Sequence, residues 1–285
     1  MSTRKMTFAG SWYPKDAASC RREIEGFMEE GKPWRVPARP YLGGIVPHAG
    51  WFYSGAIACN VIGHLAAAPA PAPEVLLIFG MHLPAGAPNF IMTSGGWETP
   101  FGELPIHKEI AGALSEAFPF RVETATRFTP DNTIELQLPF VKYFFKDIAI
   151  VPMGLPPESS SLEIGRRAVA IAGNLGLTTR VLGSTDLTHY GANYGFMPKG
   201  SGPAAVDWVK DENDRRVIEA MGRMVPEEVL ETAFAHRNAC CAGAAAAAIA
   251  AAKALGGGPA ELVTYATSYD KAPGDSLVGY VGMLF

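Results

Sequence analysis

Charged residues are scarce in this chain of 285 residues, at 18% of the total, and the net charge is only −4. No basic run exceeds the pairs Arg4-Lys5, Arg21-Arg22, Arg166-Arg167 and Arg215-Arg216. The sequence therefore has no electrostatic footprint for nucleic acid, and polyanions are excluded as expected partners. Cysteine is rare too: Cys20, Cys59, Cys240 and Cys241 show no C-x-x-C spacing, which removes the common structural zinc patterns. Residues 1–10 lack the apolar core of about 7–15 residues that a secretion signal needs, so a cytoplasmic location and free thiols are expected. The longest apolar run, 239–255, is mostly alanine and carries Lys253. It is too weakly hydrophobic for a membrane span of about 20 residues, and a buried helix is expected instead. Neither G-x-G-x-x-G after a strand nor G-x-x-x-x-G-K-[ST] occurs, and no G-x-S-x-G elbow is present, so nucleotide binding and serine hydrolysis have no anchor.

What is present is a chain 48% hydrophobic, long enough to bury roughly three quarters of its unfolded surface. There is no internal repeat, and the only low-complexity stretch is a short Ala/Pro linker at 66–73, so one domain over 1–285 is the simplest organisation. Residues 16–30 place Cys20, Ile24, Phe27 and Met28 on one helical face, with Asp16 as N-cap. Short apolar runs at 42–46 and 75–79 suit strands buried on both faces, and the helical segment 54–65 between them completes a βαβ unit. Strand, helix, strand and helix are expected again at 148–151, 158–175, 180–183 and 206–221, and a strand pair at 89–106. The carboxyl end reads as two strands, 262–268 and 276–285, joined by a turn at Pro273-Gly274. The sum is an α/β protein: a three-layer α/β/α fold with a mixed, largely parallel central sheet.

Three of the six histidines, His48, His82 and His189, follow expected strands within a few residues, among Gly, Pro and Ser. In an open parallel sheet the carboxyl ends of the strands share one edge, where ligands bind, so these imidazoles are expected to converge. Neutral imidazoles with small neighbours suit a divalent metal. Cys240, read as the first turn of the alanine-rich helix, sits where the helix dipole favours thiolate, with a small apolar packing role an even alternative. Cys241 is expected to point about 100° away, as a packing residue. Asp186, three residues before His189, can orient an imidazole, hold a proton or meet the metal, and capping of the turn explains it equally well. Capping of a helix entrance is the better reading of Asp131, with Glu135 close by near the positive dipole end. His64, His107 and His236 read as structural or solvated. For Trp12, Tyr13, Trp51, Phe52, Tyr53 and Tyr190, core packing is favoured over contact with a planar ligand.

Six segments together resemble the Memo-like family, whose bacterial members are called AmmeMemoRadiSam system protein B. They are Phe8-Ala9-Gly10-Ser11-Trp12-Tyr13-Pro14, Pro47-His48-Ala49-Gly50, Gly80-Met81-His82, Ile134-Glu135-Leu136-Gln137-Leu138-Pro139-Phe140, Asp186-Leu187-Thr188-His189-Tyr190-Gly191 and Ala239-Cys240. The resemblance implies the fold of class III extradiol ring-cleaving dioxygenases, enzymes that use non-haem ferrous iron and molecular oxygen. By motif, His48 and His82 would be metal ligands, and His189 the acid/base or a third ligand. Cys240 falls where those dioxygenases place their ligand carboxylate. A thiolate is softer than a carboxylate and moves the metal preference toward zinc or copper. The chain departs from the family pattern at Asp131-Asn132, where Glu-His is usual, and at Cys241, where glycine is common.

Three functions follow as expectations. The first is a non-haem iron, dioxygenase-type oxidoreductase acting on an unidentified small molecule, an aromatic one among the candidates, with iron as the leading metal and copper or zinc as alternatives; His189 and Asp186 would handle protons. The second is a binding or scaffold protein. Here the resemblance implies a radical-SAM protein as partner for the bacterial members and phosphopeptide binding for a eukaryotic one. The third is metal-assisted hydrolysis at a zinc ion.

Overall fold

Runs that are apolar on both faces are stable only between two helical layers, and that is where this chain puts them. The computed structural model describes residues 2–67 and 71–285; residues 68–70 of the expected Ala/Pro linker lie outside the described residues. The first half comprises β1 (Thr3–Arg4), α1 (Ala17–Gly31), β2 (Gly43–Val46), α2 (Trp51–Ala67), β3 (Val75–Gly80), β4 (Asn89–Met92), β5 (Gly96–Thr99), β6 (Gly102–Pro105), α3 (Lys108–Ala117), β7 (Phe120–Glu123), α4 (Asn132–Glu135) and α5 (Leu138–Phe145). The second half comprises β8 (Ala149–Gly154), α6 (Ser159–Asn174), β9 (Thr179–Ser184), β10 (His189–Tyr190), α7 (Pro203–Trp208), α8 (Asp214–Gly222), α9 (Pro226–His236), α10 (Ala242–Ala254), β11 (Glu261–Thr267) and β12 (Leu277–Leu284).

The large sheet runs β10-β12-β2-β9-β3-β8-β4-β7, with β11 on the other side of β12. Its centre, β2, β9, β3 and β8, is parallel, whereas β12 and β4 join antiparallel on either side. Helices α1, α2 and α5 cover one face, and α10, backed by α6 and α9, covers the other. This is the three-layer α/β/α arrangement with a mixed sheet. The expected unit of β2, α2 and β3 exists, but β9 is inserted between its two strands.

Helix α10 is buried nearly all round, as the alanine-rich run implied. Small residues let it sit close to its neighbours: a Cβ on Gly165 of α6 would lie 2.5 Å from the Ala247 carbonyl oxygen. Asp16 caps α1 by accepting from the Ser19 N–H, as its sequence suggests. Met28 of that helix is exposed, not on the packed face. The expected helix at 206–221 is helical but interrupted by a π-helical turn, Val209–Asn213, between α7 and α8. The expected strand pair at 89–106 divides differently: β4 enters the large sheet, while β5 pairs with both β6 and β1 in a second, three-stranded sheet.

Candidate metal centre

The strand order explains how residues far apart in sequence meet. Strand β9 lies between β2 and β3, with Val46 beside Ser184 and Phe79 beside Gly183, so the three strands end level at one edge. His48 follows β2, His82 follows β3, and Asp186 follows β9. The His48 and His82 Nε2 atoms lie 3.1 Å apart. The Cys240 Sγ, arriving from the segment before α10, lies 3.3 Å from the His48 Nε2. Cys241 joins them: ligand atoms of all four residues fall within 4.8 Å of one another.

Neighbouring groups fix which nitrogen of each ring carries the proton. The Ser184 hydroxyl donates to the Thr133 carbonyl at 2.8 Å, so it can only accept at the His48 Nδ1, 2.9 Å away. His48 therefore carries its proton on Nδ1 and turns the Nε2 lone pair toward His82 and Cys240. In His82, the Nδ1–H donates to the Asp131 carboxylate at 3.0 Å, which likewise directs the Nε2 lone pair inward. Two lone pairs and a sulfur this close repel one another unless a cation or protons lie among them. Tetrahedral coordination with M–N of about 2.05 Å and M–S of about 2.3 Å puts ligand atoms roughly 3.3–3.8 Å apart. The closest nitrogen–nitrogen and nitrogen–sulfur separations, 3.1 and 3.3 Å, lie slightly inside that spacing, and the soft, borderline donors suit a transition metal.

Without a metal, the electrostatics place protons, in a cation's stead, among these groups. Burial opposes charge on His48, but Asp186 and the Cys240 sulfur outweigh it and raise its pKa. Burial likewise opposes charge on His82, whose pKa Asp131 and Cys240 push up to about 10. The Cys240 thiol is raised by burial, yet the Cys241 S–H and the two imidazoles pull it well below its usual range, toward thiolate. Burial, followed by the neighbouring Cys240 sulfur, drives Cys241 the other way. Asp186 is buried and raised by that burial; its Oδ1 accepts the His48 backbone N–H at 2.7 Å, and its own N–H donates to the Cys240 Sγ.

Not all the expected residues occupy the expected places. His189 lines the same cavity, of about 570 Å³, as His48 and His82, but it is not among the clustered ligand residues. It stands on β10, which pairs with β12 and not with the parallel strands. Its Nδ1–H donates to the Leu187 carbonyl, leaving Nε2 free as a proton acceptor. Asp186 orients His48 through the backbone and makes no hydrogen bond to His189. Helix α10 starts only at Ala242, so Cys240 precedes its first turn. Cys241 has φ −125° and ψ 53°, so the helical 100° rotation does not apply and its side chain turns inward, 3.7 Å from the Cys240 Sγ.

Asp131 does cap α4, accepting from the Thr133 N–H, but its other oxygen takes both the N–H and the Nδ1–H of His82. That second role had no local sequence signal. Met81 also went unmarked: it has φ 70°, a left-handed conformation uncommon outside glycine, and its N–H donates to the Thr133 hydroxyl. The strained residue turns the chain from β3 so that His82 faces the cluster. Gly80 before it is required, because a Cβ there would lie 2.4 Å from the Thr133 Oγ1. Asn132 donates to the His48 carbonyl and lines the cavity. Glu135 is structural: it accepts from the Thr7 and Phe8 N–H groups and the Tyr13 hydroxyl, pinning the amino-terminal segment. The expected aromatics divide: Tyr13, Trp51 and Tyr190 are core residues and Phe52 is exposed, whereas Trp12 and Tyr53 line the cavity.

Comparison with known proteins agrees with this architecture. A family model described as "Memo-like protein" matches residues 4–284. A MEMO1 family protein from Pyrococcus furiosus is 30% identical over 293 residues, covering 99% of this chain and 98% of that relative. Another from Methanopyrus kandleri is 32% identical over 295 residues, again covering 99% and 98%. Among solved structures, an uncharacterized protein from Escherichia coli K12 shares the fold with a TM-score of 0.56 at 12% identity, over 84% of this chain and 98% of that one. With a match spanning nearly its whole length, the chain belongs to the Memo-like family.

Proposed function

We propose that the protein is a metal-dependent oxidoreductase of the dioxygenase type, whose metal is held by His48, His82 and Cys240 and whose small-molecule substrate binds in the adjoining cavity. The observation that carries this reading is the pair of inward-facing Nε2 atoms, 3.1 Å apart, with the Cys240 sulfur 3.3 Å from that of His48. When bound, a redox-active metal such as iron or copper supplies a one-electron couple and an electrophilic centre. The protein groups have separate tasks. Ser184 and Asp131 hold the two rings in the ligating tautomer. Asp186, buried beside His48 with a raised pKa, can hold a proton at its carboxylate, and His189 can accept one at Nε2. Trp12, Tyr53 and Tyr194 line the cavity and offer flat apolar faces to an aromatic substrate. Among the described residues no helix is long and apolar enough to cross a membrane, and the four cysteines form no disulfide.

The test is anaerobic reconstitution with ferrous iron or cuprous copper, followed by oxygen-uptake measurements with a panel of catechols. Metal-dependent uptake that His48→Ala abolishes supports the proposal. Stoichiometric metal with no uptake on any substrate contradicts the oxidoreductase reading while leaving the metal site intact.

A further inference from the structure

We propose that Cys241 is a fourth ligand, so that the resting site holds its metal between two imidazoles and two thiolates. This rests on the reading that His48, His82 and Cys240 bind a metal, and it adds what this chain does in place of the glycine common at this position. Adjacent side chains in a strand point to opposite faces, and in a helix they diverge by about 100°. Here they converge, because Cys240 and Cys241 occupy the turn before α10.

Both residues are anchored to the end of β9, which lies between the two histidine-bearing strands. The Cys240 N–H donates to the Asp186 carbonyl at 3.1 Å, and the Cys241 N–H donates to the Thr185 hydroxyl oxygen at 3.1 Å. The two sulfurs stand 3.7 Å apart. Two thiolates on one tetrahedral ion, each at about 2.3 Å, would be separated by about 3.8 Å. A disulfide needs about 2.05 Å, so the pair is poised for shared coordination and not bonded. Cys241 is buried, and its sulfur has no hydrogen-bond partner among the described residues except Cys240. On coordination it gives its thiol proton to solvent and becomes the second anionic ligand.

The consequence is chemical. Two nitrogens and two sulfurs in a tetrahedron favour zinc or cuprous copper over hard-ligand metals and leave no open coordination position.

Cobalt(II) is the probe, titrated anaerobically into the reduced, full-length protein. Near-ultraviolet thiolate-to-cobalt absorption scales with the number of bound sulfurs, and visible d–d intensity reports four-coordination. The wild type is expected to bind one equivalent with intense visible bands. In Cys241→Ala the charge-transfer absorption at saturation should fall by about half, and the visible bands should weaken as water replaces sulfur. Unchanged charge-transfer absorption in a saturated, folded Cys241→Ala protein would overturn the proposal and leave the three-ligand reading standing. No cobalt bound by the folded wild type would overturn both. Should the variant fail to fold, X-ray absorption of the wild-type cobalt protein decides: two sulfur neighbours support the proposal, and one overturns it.

Discussion

Asp131→Asn isolates the claim that carboxylate placement, and not the ligands alone, makes the metal centre. One Asp131 oxygen accepts from the Thr133 N–H and hydroxyl, and the other from the His82 N–H and Nδ1–H. All four partners are donors in the ligating state. An asparagine presents an NH2 group to one side, whichever way it is turned. Facing His82, it drives the proton from Nδ1 to Nε2 and buries the ligating lone pair; facing Thr133, it opposes the helix-capping N–H. Loss of a partner behind a ligating histidine typically weakens metal binding by about 10–100-fold, or roughly 1.4–2.7 kcal/mol, and loss of a cap costs about 1 kcal/mol of stability. Competition against a chromophoric chelator gives the affinity, and a urea melt of the metal-free protein gives the stability. A folded variant that both binds zinc as tightly and unfolds at the same urea concentration as the wild type would refute the argument.

Other consequences are separable. His189→Ala should keep one equivalent of bound metal but lose oxygen uptake, because His189 lines the cavity without belonging to the ligand cluster; loss of metal in a folded variant would make it a ligand. Burial raises the Asp214 pKa to about 6, a shift only partly offset by hydrogen bonds from Thr188 and Tyr265. Since the folded value is raised, the stability this group contributes is complete below pH about 4 and is lost as pH climbs through 6, a change of roughly 3 kcal/mol. Asp214→Asn should flatten that part of the urea-unfolding profile between pH 4.5 and 7.5, and parallel profiles would count against the assignment. In Gly165→Ala the new methyl would meet the Ala247 carbonyl, so α6 and α10 must separate, at a cost of about 1–3 kcal/mol seen as a lowered thermal midpoint. An unchanged midpoint would show that this helix contact is loose.

The legible parts of the chain were those whose signal is local. Apolar runs such as 75–79 can only be strands inside a layered fold, and a histidine just past such a run falls at the functional edge. The alanine-rich run of α10 likewise announces a buried helix. What depended on long-range pairing was not visible. Thr3–Arg4 becomes a strand only because it pairs with Gly96 and Trp97, which is why the second sheet escaped notice. The insertion of β9 between β2 and β3 leaves no trace in either flanking segment. Asp131 misled because capping α4 fully explains it from its near neighbours, while its contact with His82 spans 49 residues. Cys241 misleads because the alanine-rich run beside it suggests helix where the backbone is irregular, and that alone reverses the direction of its side chain.

The central claim is that one metal ion binds among His48, His82 and Cys240, and anomalous scattering from crystals of the metal-loaded protein tests it most directly. The account predicts a single anomalous peak about 2.0–2.1 Å from both Nε2 atoms and about 2.3 Å from the Cys240 sulfur. A loaded protein whose anomalous peak lies elsewhere, with the two imidazoles joined only by a shared proton, would contradict it.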